Sequence, residues 1–369
     1  MRLAGVTWWR GNYGSILQAY AMQHVMKNLN VDYEILDQYG ALISGRHLVD
    51  HIKVLGLKGT LIKILWKYAL PKVKVRNKTL SDFVSEYLII SKNQYLDRNL
   101  QEANKHYDGF LCGSDQVWNP ELTKYDPLYW LQFADEDKLI FSYAPSIGVK
   151  DAPDEEKEII RKNLEKFKGV SCREKSGTDF INSICPDKCI TVLDPTMLLD
   201  KREWDRIIEP YSVKEKYVFA YFLRGKREDR KWVERFAKKK GCKVVSFPFL
   251  ETEYIEHYDK TFGDIQIFDA NPLQFISLIK NAEYVFTDSF HCTVFSIIYE
   301  RQFWIFPKGG THQSTRLEEL TKMFKLENRF INSTLKIEDI DAIEYTESRE
   351  ILTVKRNVSM AFIHTVLFD

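Results

Sequence analysis

The sequence predicts an α/β protein in two successive units, each a parallel sheet with helices on both faces. Two observations carry this expectation. Short apolar runs alternate with longer stretches of helical period, the pattern of strand–helix–strand crossovers, and that pattern restarts in the second half. The chain has 369 residues, too many for one small core and well suited to two domains.

In the first half, strands are predicted over 3–8, 33–36, 109–112, 139–143, 170–172 and 190–193. A helix is predicted over 15–28, where Ile16, Leu17, Tyr20, Met22, Val25 and Met26 recur near 3.6 spacing. The second half gives strands over 217–222, 243–247 and 284–287, with helices over 231–240 and 272–281. Asn271-Pro272 makes a good helix start: a capping side chain followed by proline at the first helical position. Asp194-Pro195 through Tyr211 reads as the seam. The expected domains are 1–200, with a basic helical insertion at 50–80, then 201–335, then a terminal segment 336–369. The helix at 349–368 is expected to pack back on the first domain.

Apolar residues make up 44% and charged residues 28%, a balance that excludes wholesale disorder. Lys+Arg 53 against Asp+Glu 52 leaves net charge +1, so bulk charge gives no reason to expect nucleic acid as a partner. The start of the chain lacks a signal-peptide pattern. The cysteines are scattered, with Cys112, Cys172 and Cys292 in apolar, strand-like surroundings. Reduced thiols and a cytoplasmic location follow as expectations. Cys185 and Cys189 have no second ligand pair near them, and no metal site is expected. Between Ile52 and Lys78, lysines interleave with Leu55, Ile62, Leu65, Trp66 and Tyr68. Such a helix can lie on an anionic membrane surface. A helical insertion with a solvated lysine face explains it as well, and Pro71, which breaks the element, favours that alternative.

Candidate chemistry gathers at strand ends. In "RGNYGSILQAY", Gly11 and Gly14 flank the handover from the first strand to the first helix. Helix-start amides lack intrahelical acceptors and favour an anion, and Asn12 and Ser15 add hydrogen-bonding side chains. A phosphate, a carboxylate or sugar hydroxyls would fit, as would a plain turn. The stretch matches neither the dinucleotide fingerprint nor a phosphate-binding loop with its lysine. Three more stretches share this position. "FLCGSDQVWNP" presents Gly113, Ser114, Asp115 and Gln116; "VSCREKSG" presents Arg173 and Glu174; "YVFTDSFHCTVFSIIY" presents Asp288, Ser289 and His291.

Each has a plain structural alternative. Asp115 suits a turn, Arg173 can pair with Glu174 or a surface helix end, and His291 can be a core histidine. Taken together, polar groups at strand ends of both units would converge on one inter-domain cleft, a preferred ligand location. Imidazole is the side chain suited to acid–base work near neutral pH, and His291 is placed beside a helix expected to begin near Thr293. Arg173, Arg316 and Arg224 can each grip a carboxylate or phosphate by a bidentate fork. A small, multiply anionic substrate follows. No serine-protease order, zinc-protease motif or kinase signature appears.

The same residues resemble the polysaccharide pyruvyl transferase family. The likeness runs from the first strand to about Asn332. It is carried by "NYGSILQAYAMQ", "GSDQVWNP", "FSYAPSIG", "SCREKSG", "VLDPTMLL", "TDSFHCTVFSIIYERQFWIF" and "QSTRLEEL", in that order. The resemblance implies two Rossmann-like domains facing across a cleft, as in GT-B glycosyltransferases. It implies transfer from phosphoenolpyruvate to sugar hydroxyls, giving a cyclic pyruvate ketal on a polysaccharide precursor of the exopolysaccharide or capsule kind. No cofactor is implied beyond that donor. His291 and Asp115 fall on the family's catalytic positions and Arg173 on its strand-end arginine. Asn12, Gly14, Ser15, Ser114 and Ser289 complete the expected binding set with Arg316 and Arg224. At Ser289 many members carry arginine, so Arg316 or Arg224 would supply that charge. A lipid-linked acceptor would bring the lysine-rich stretch to the inner membrane face. The alternatives are a GT-B glycosyltransferase using a nucleotide sugar and a non-catalytic relative, for which Ser289 is the main support.

Overall fold

A computed structural model describes residues 1–38, 71–96, 98–224, 226–248, 259, 261–307, 313–331 and 342–369. Most of the lysine-rich stretch, residues 52–70, lies outside the described residues; 71–78 opens a helix. The chain divides into two compact units. Among the described residues, the first holds 1–38, 84–199 and 352–369, and the second holds 71–83 and 200–351.

In unit 1, β1 (Arg2–Val6) leads to α1 (Tyr13–Asn28), then β2 (Asp32–Asp37), α2 (Pro71–Tyr87) and β3 (Ile90–Gln94). After these come β4 (Gly109–Cys112), β5 (Leu139–Ser142), α3 (Asp154–Leu164), β6 (Val170–Cys172), α4 (Lys175–Ile184) and β7 (Cys189–Thr191). The main sheet has the order β3-β2-β1-β4-β5, all parallel, and β6 and β7 form a parallel pair. The central strands are apolar runs because both faces are covered: every residue of β4 is buried. α1 is buried almost all round and starts where Asn12 Oδ1 accepts Ser15 N at 2.8 Å. The core of this unit includes Trp118 stacked on Trp130, with ring centroids 4.5 Å apart.

Unit 2 repeats the plan. α5 (Lys201–Ile207) precedes β8 (Tyr217–Tyr221), α6 (Arg227–Lys240), β9 (Lys243–Ser246) and β10 (Ile265–Gln266). α7 (Pro272–Lys280), β11 (Tyr284–Thr287), α8 (Phe290–Ile298), β12 (Gln302–Ile305) and α9 (Gln313–Met323) follow. The sheet order is β10-β9-β8-β11-β12, again parallel throughout. Asn271 caps α7 reciprocally with Gln274, as its sequence announced. The core is aromatic: Phe236, Phe286 and Trp304 pack within it. The last helix, α10 (Thr346–Phe368), starts in unit 2 and ends in unit 1.

Several expectations need correction. β1 ends at Val6, so Thr7 and Trp8 belong to the loop that follows. Cys292 lies in α8, not on a strand. That helix begins at Phe290 and not near Thr293, because Ser289 caps it, so His291 sits in its first turn. All six cysteines are free thiols.

Candidate functional site

In an open parallel sheet, ligands collect outside the carboxyl ends of the strands where the strand order reverses. In unit 1 that point lies between β1 and β4, and in unit 2 between β8 and β11. The loops leaving these four strands and the first turns of the helices after them carry Asn12, Gly14, Ser15, Ser114 and Asp115 in unit 1, and Arg224, Ser289 and His291 in unit 2.

The unit 1 loops are locked together. Thr7 Oγ1 donates to Ser114 O at 2.8 Å. A Cβ on Gly113 would come within 2.8 Å of Thr7 Cβ, so this crossing requires glycine. The next residue but one, Asp115, has φ 74°, a left-handed conformation that aspartate tolerates better than most side chains. Its backbone is held by Ser146 N, which donates to Asp115 O at 2.7 Å. Its side chain is held twice: Ser15 Oγ donates to Oδ2 at 2.5 Å and Gln116 N to Oδ1 at 2.9 Å. Ser15 is fully buried and Asp115 nearly so. Gln18, in the next turn of α1, donates to Trp8 O, Ser15 O and Thr7 Oγ1. Gly11, exposed at φ 87°, supplies the left-handed turn before Asn12.

Beside this cluster lies a buried ionic network. Arg173 Nη1 donates to Asp194 Oδ2 at 2.9 Å and Arg173 Nε to Glu174 Oε1 at 3.2 Å. Asp194 Oδ2 also accepts Ser114 Oγ at 3.2 Å, while Oδ1 accepts Thr196 N at 3.0 Å and Thr196 Oγ1 at 2.6 Å. Burial works against the Arg173 charge, yet Glu174, Asp194 and Asp115 together more than offset it and hold its pKa above the usual arginine value. The surface pairing considered for Arg173 is therefore replaced by a buried one, with Glu174 joined by Asp194. The network links the loop after β4, the end of β6 and the turn after β7 through side chains far apart in sequence.

In unit 2 the corresponding carboxylate is Asp288, with no exposed surface. Its two oxygens accept Leu223 N at 2.6 Å and Arg224 N at 2.9 Å, clamping the loop after β8. Ser289 Oγ accepts Cys292 N at 3.4 Å and caps α8. Thr287 Oγ1 donates to Tyr221 O at 2.6 Å and accepts Ser289 N at 3.0 Å, fastening β11 to β8. His291 is 8% exposed. The Arg224 side chain is exposed, and Arg316 is half-buried on α9.

The structure thus joins Asn12, Ser15, Ser114, Asp115 and Arg173 in unit 1, with Gly14 in the first turn of α1. Arg224, Ser289 and His291 share the strand ends of unit 2. Sequence reasoning passed over Asp194 and Gln18 and named Asp288 only in passing. Asp-Pro after a strand is a capping signal that could have raised Asp194; Gln18 carries no local signal. Among the described residues, no His/Cys/Asp/Glu group could hold a metal ion, and no helix is long and apolar enough to cross a membrane.

Two parallel-sheet units of this strand order, with polar clusters at both switch points, define a GT-B-like α/β protein of two Rossmann-like domains. Residues 12–307 match the family model described as polysaccharide pyruvyl transferase, and the chain belongs to that family. No curated protein matches it. A UDP-GlcNAc 2-epimerase from Neisseria meningitidis, solved bound to UDP-GlcNAc, superposes with TM-score 0.51 at 13% identity, covering 100% of both chains. A further UDP-N-acetylglucosamine 2-epimerase gives TM-score 0.52 at 11% identity, covering 100% of this chain and 95% of the other. At such identities the likeness concerns the fold alone.

Proposed function

We propose that this protein transfers a pyruvyl group from phosphoenolpyruvate to two hydroxyls of a saccharide, forming a cyclic ketal and releasing phosphate. The observation that carries this reading is the Ser15–Asp115 pair at the switch point of unit 1: a buried hydroxyl 2.5 Å from a carboxylate held in a left-handed turn. Backbone strain of that kind persists where the surroundings over-determine it, and it clusters at functional sites.

The chemistry then divides as follows. A proton delivered to the methylene carbon of the enol ester leaves a cationic carbon stabilised by its oxygen. One acceptor hydroxyl adds there and gives up its proton. The carbon–oxygen bond to phosphate breaks, regenerating a cationic carbon, and the second hydroxyl adds with loss of its proton to close the ring. Asp115, oriented by Ser15, takes the acceptor proton, and His291 serves as the acid toward the methylene. The Arg173 guanidinium is already committed to Asp194 and Glu174, which makes it a positioning residue. The donor anion is therefore assigned to Arg224 and Arg316. No metal enters these steps, so a chelator should leave turnover unchanged.

The test is phosphate release from phosphoenolpyruvate with a mixture of oligosaccharide acceptors, beside thermal unfolding with phosphoenolpyruvate or UDP-GlcNAc. A ligand at roughly 100 times its Kd stabilises by about 2.7 kcal/mol. The expected result is acceptor-dependent phosphate release and stabilisation by phosphoenolpyruvate alone. Stabilisation by the nucleotide sugar, with no phosphate released, would overturn the reading in favour of nucleotide-sugar chemistry.

A further inference from the structure

The last helix docks on unit 1 by one face. Leu352, Ser359, Ile363 and Val366 are buried along it, and Ser359 Oγ accepts Leu193 N at 2.9 Å. A helix seated in this way needs a polar outer face. α10 has an apolar one. Ile351, Val354, Val358, Ala361, Thr365 and Phe368 follow one another at steps of three and four residues, on the side opposite the buried row. Val354 is 60% exposed, Val358 45% and Phe368 50%. Ala361 and Thr365 are exposed with them, and Ile351 is half-buried.

Helix formation does not explain the row. β-branched side chains lose χ1 freedom in a helix and are among its weaker formers. A single exposed valine is ordinary. A row in register over about five turns has the a/d spacing of a two-stranded coiled coil, where it forms the seam.

The edges of the row match one occupant. With Ile351, Val358 and Thr365 at a, and Val354, Ala361 and Phe368 at d, Glu350 and His364 fall at g. Lys355 and Asp369 fall at e of the heptads that follow. Asp369 comes directly after the helix, and its N–H still donates to Thr365 O at 3.2 Å. Across a parallel seam, g of one helix faces e of the next heptad on the other. Glu350 would then face Lys355 of a second copy, and His364 its Asp369, and two-fold symmetry makes each contact twice. An antiparallel pair sets each edge against itself and forfeits both matches.

We propose that α10 pairs in parallel with α10 of a second copy of this chain, making a two-fold homodimer. Ala361 and Thr365 add little apolar area to the seam, so the association is weak and depends on concentration.

The experiment is sedimentation velocity on the full chain over a concentration series, at low and high salt. The mass should move from one chain toward two as concentration rises, and sooner at low salt, where the edge charges are less screened. Val354→Glu together with Val358→Glu puts like charges across the seam and should leave a monomer throughout. Both positions are exposed, so circular dichroism and the thermal midpoint should hold. Glu350→Lys or Lys355→Glu alone should weaken association by about 5-fold or more, and the two together should restore it. A monomer at every concentration overturns the pairing, as does a dimer that survives the double glutamate variant. Failure of the paired charge swap to restore association overturns the parallel arrangement. A monomer that floats with phosphatidylglycerol vesicles, and loses them in the double glutamate variant, assigns the row to lipid and overturns the dimer.

Discussion

The two switch points solve one problem by different means. In unit 1 the strand-end carboxylates are answered mainly by side chains, Arg173, Ser114 and Thr196 on Asp194 and Ser15 on Asp115, with one backbone amide added to each, from Thr196 and Gln116. At the unit 2 switch point the buried carboxylate of Asp288 is answered by the backbone amides of Leu223 and Arg224. Side chains tie together segments far apart in sequence, so the unit 1 loops hold one another. The Asp288 bonds also span 65 and 64 residues, but both fall on adjacent amides of the loop after β8 and leave the Arg224 side chain exposed. Unit 1 is built as a fixed cradle. Unit 2 presents a charge on a moulded turn.

The sharpest way to break this contrast is Arg173→Met. It leaves Asp194 and Glu174 buried without their cation, and loss of one partner of a buried ion pair costs about 3–5 kcal/mol. Urea unfolding followed by tryptophan fluorescence should show a destabilised transition of that size. A loss no larger than that of an exposed pair would mean that neutral hydrogen bonds alone fasten the cradle. Next comes His291→Ala. General acid–base help is worth about 10²–10⁴-fold in rate, so turnover should fall in that range with circular dichroism unchanged, and near-wild-type turnover would remove His291 from the chemistry. Asp288→Asn places an amide nitrogen against a backbone N–H, and one unsatisfied buried group costs about 1–3 kcal/mol. Here the KM for phosphoenolpyruvate should rise through Arg224, while the acceptor KM stays put. Equal shifts in both would deny that the turn serves the donor. The smallest effect belongs to Ser289→Ala, which removes a helix cap worth about 1 kcal/mol and should lower the thermal midpoint slightly without altering either KM.

How much of this was legible in the sequence differs between elements. Strands 109–112, 170–172 and 284–287 were read to the residue, because each is a short apolar run with polar neighbours. β3 was missed. Its residues Lys92, Asn93 and Gln94 face solvent at the sheet edge, so no apolar run marks it. β1 was read too long because Trp8 continues the apolar run, and only the tertiary bonds of Thr7 and Gln18 show that the chain has left the ladder. Asp115, Ser15 and Ser114 could be named from their place after strands. Asp194 could not, since its partners Ser114 and Arg173 lie 80 and 21 residues away. Its meaning exists only after folding.

The last helix carries a consequence for how the molecule comes into being. Residues 352–369 belong to unit 1, where Ser359 Oγ accepts Leu193 N at 2.9 Å and Val366 crowds the bare Cα of Gly169. On the ribosome, unit 1 therefore lacks this helix until all of unit 2 has emerged. A nascent chain stalled before Leu352 would expose apolar surface to chaperones, and a released one would bury it.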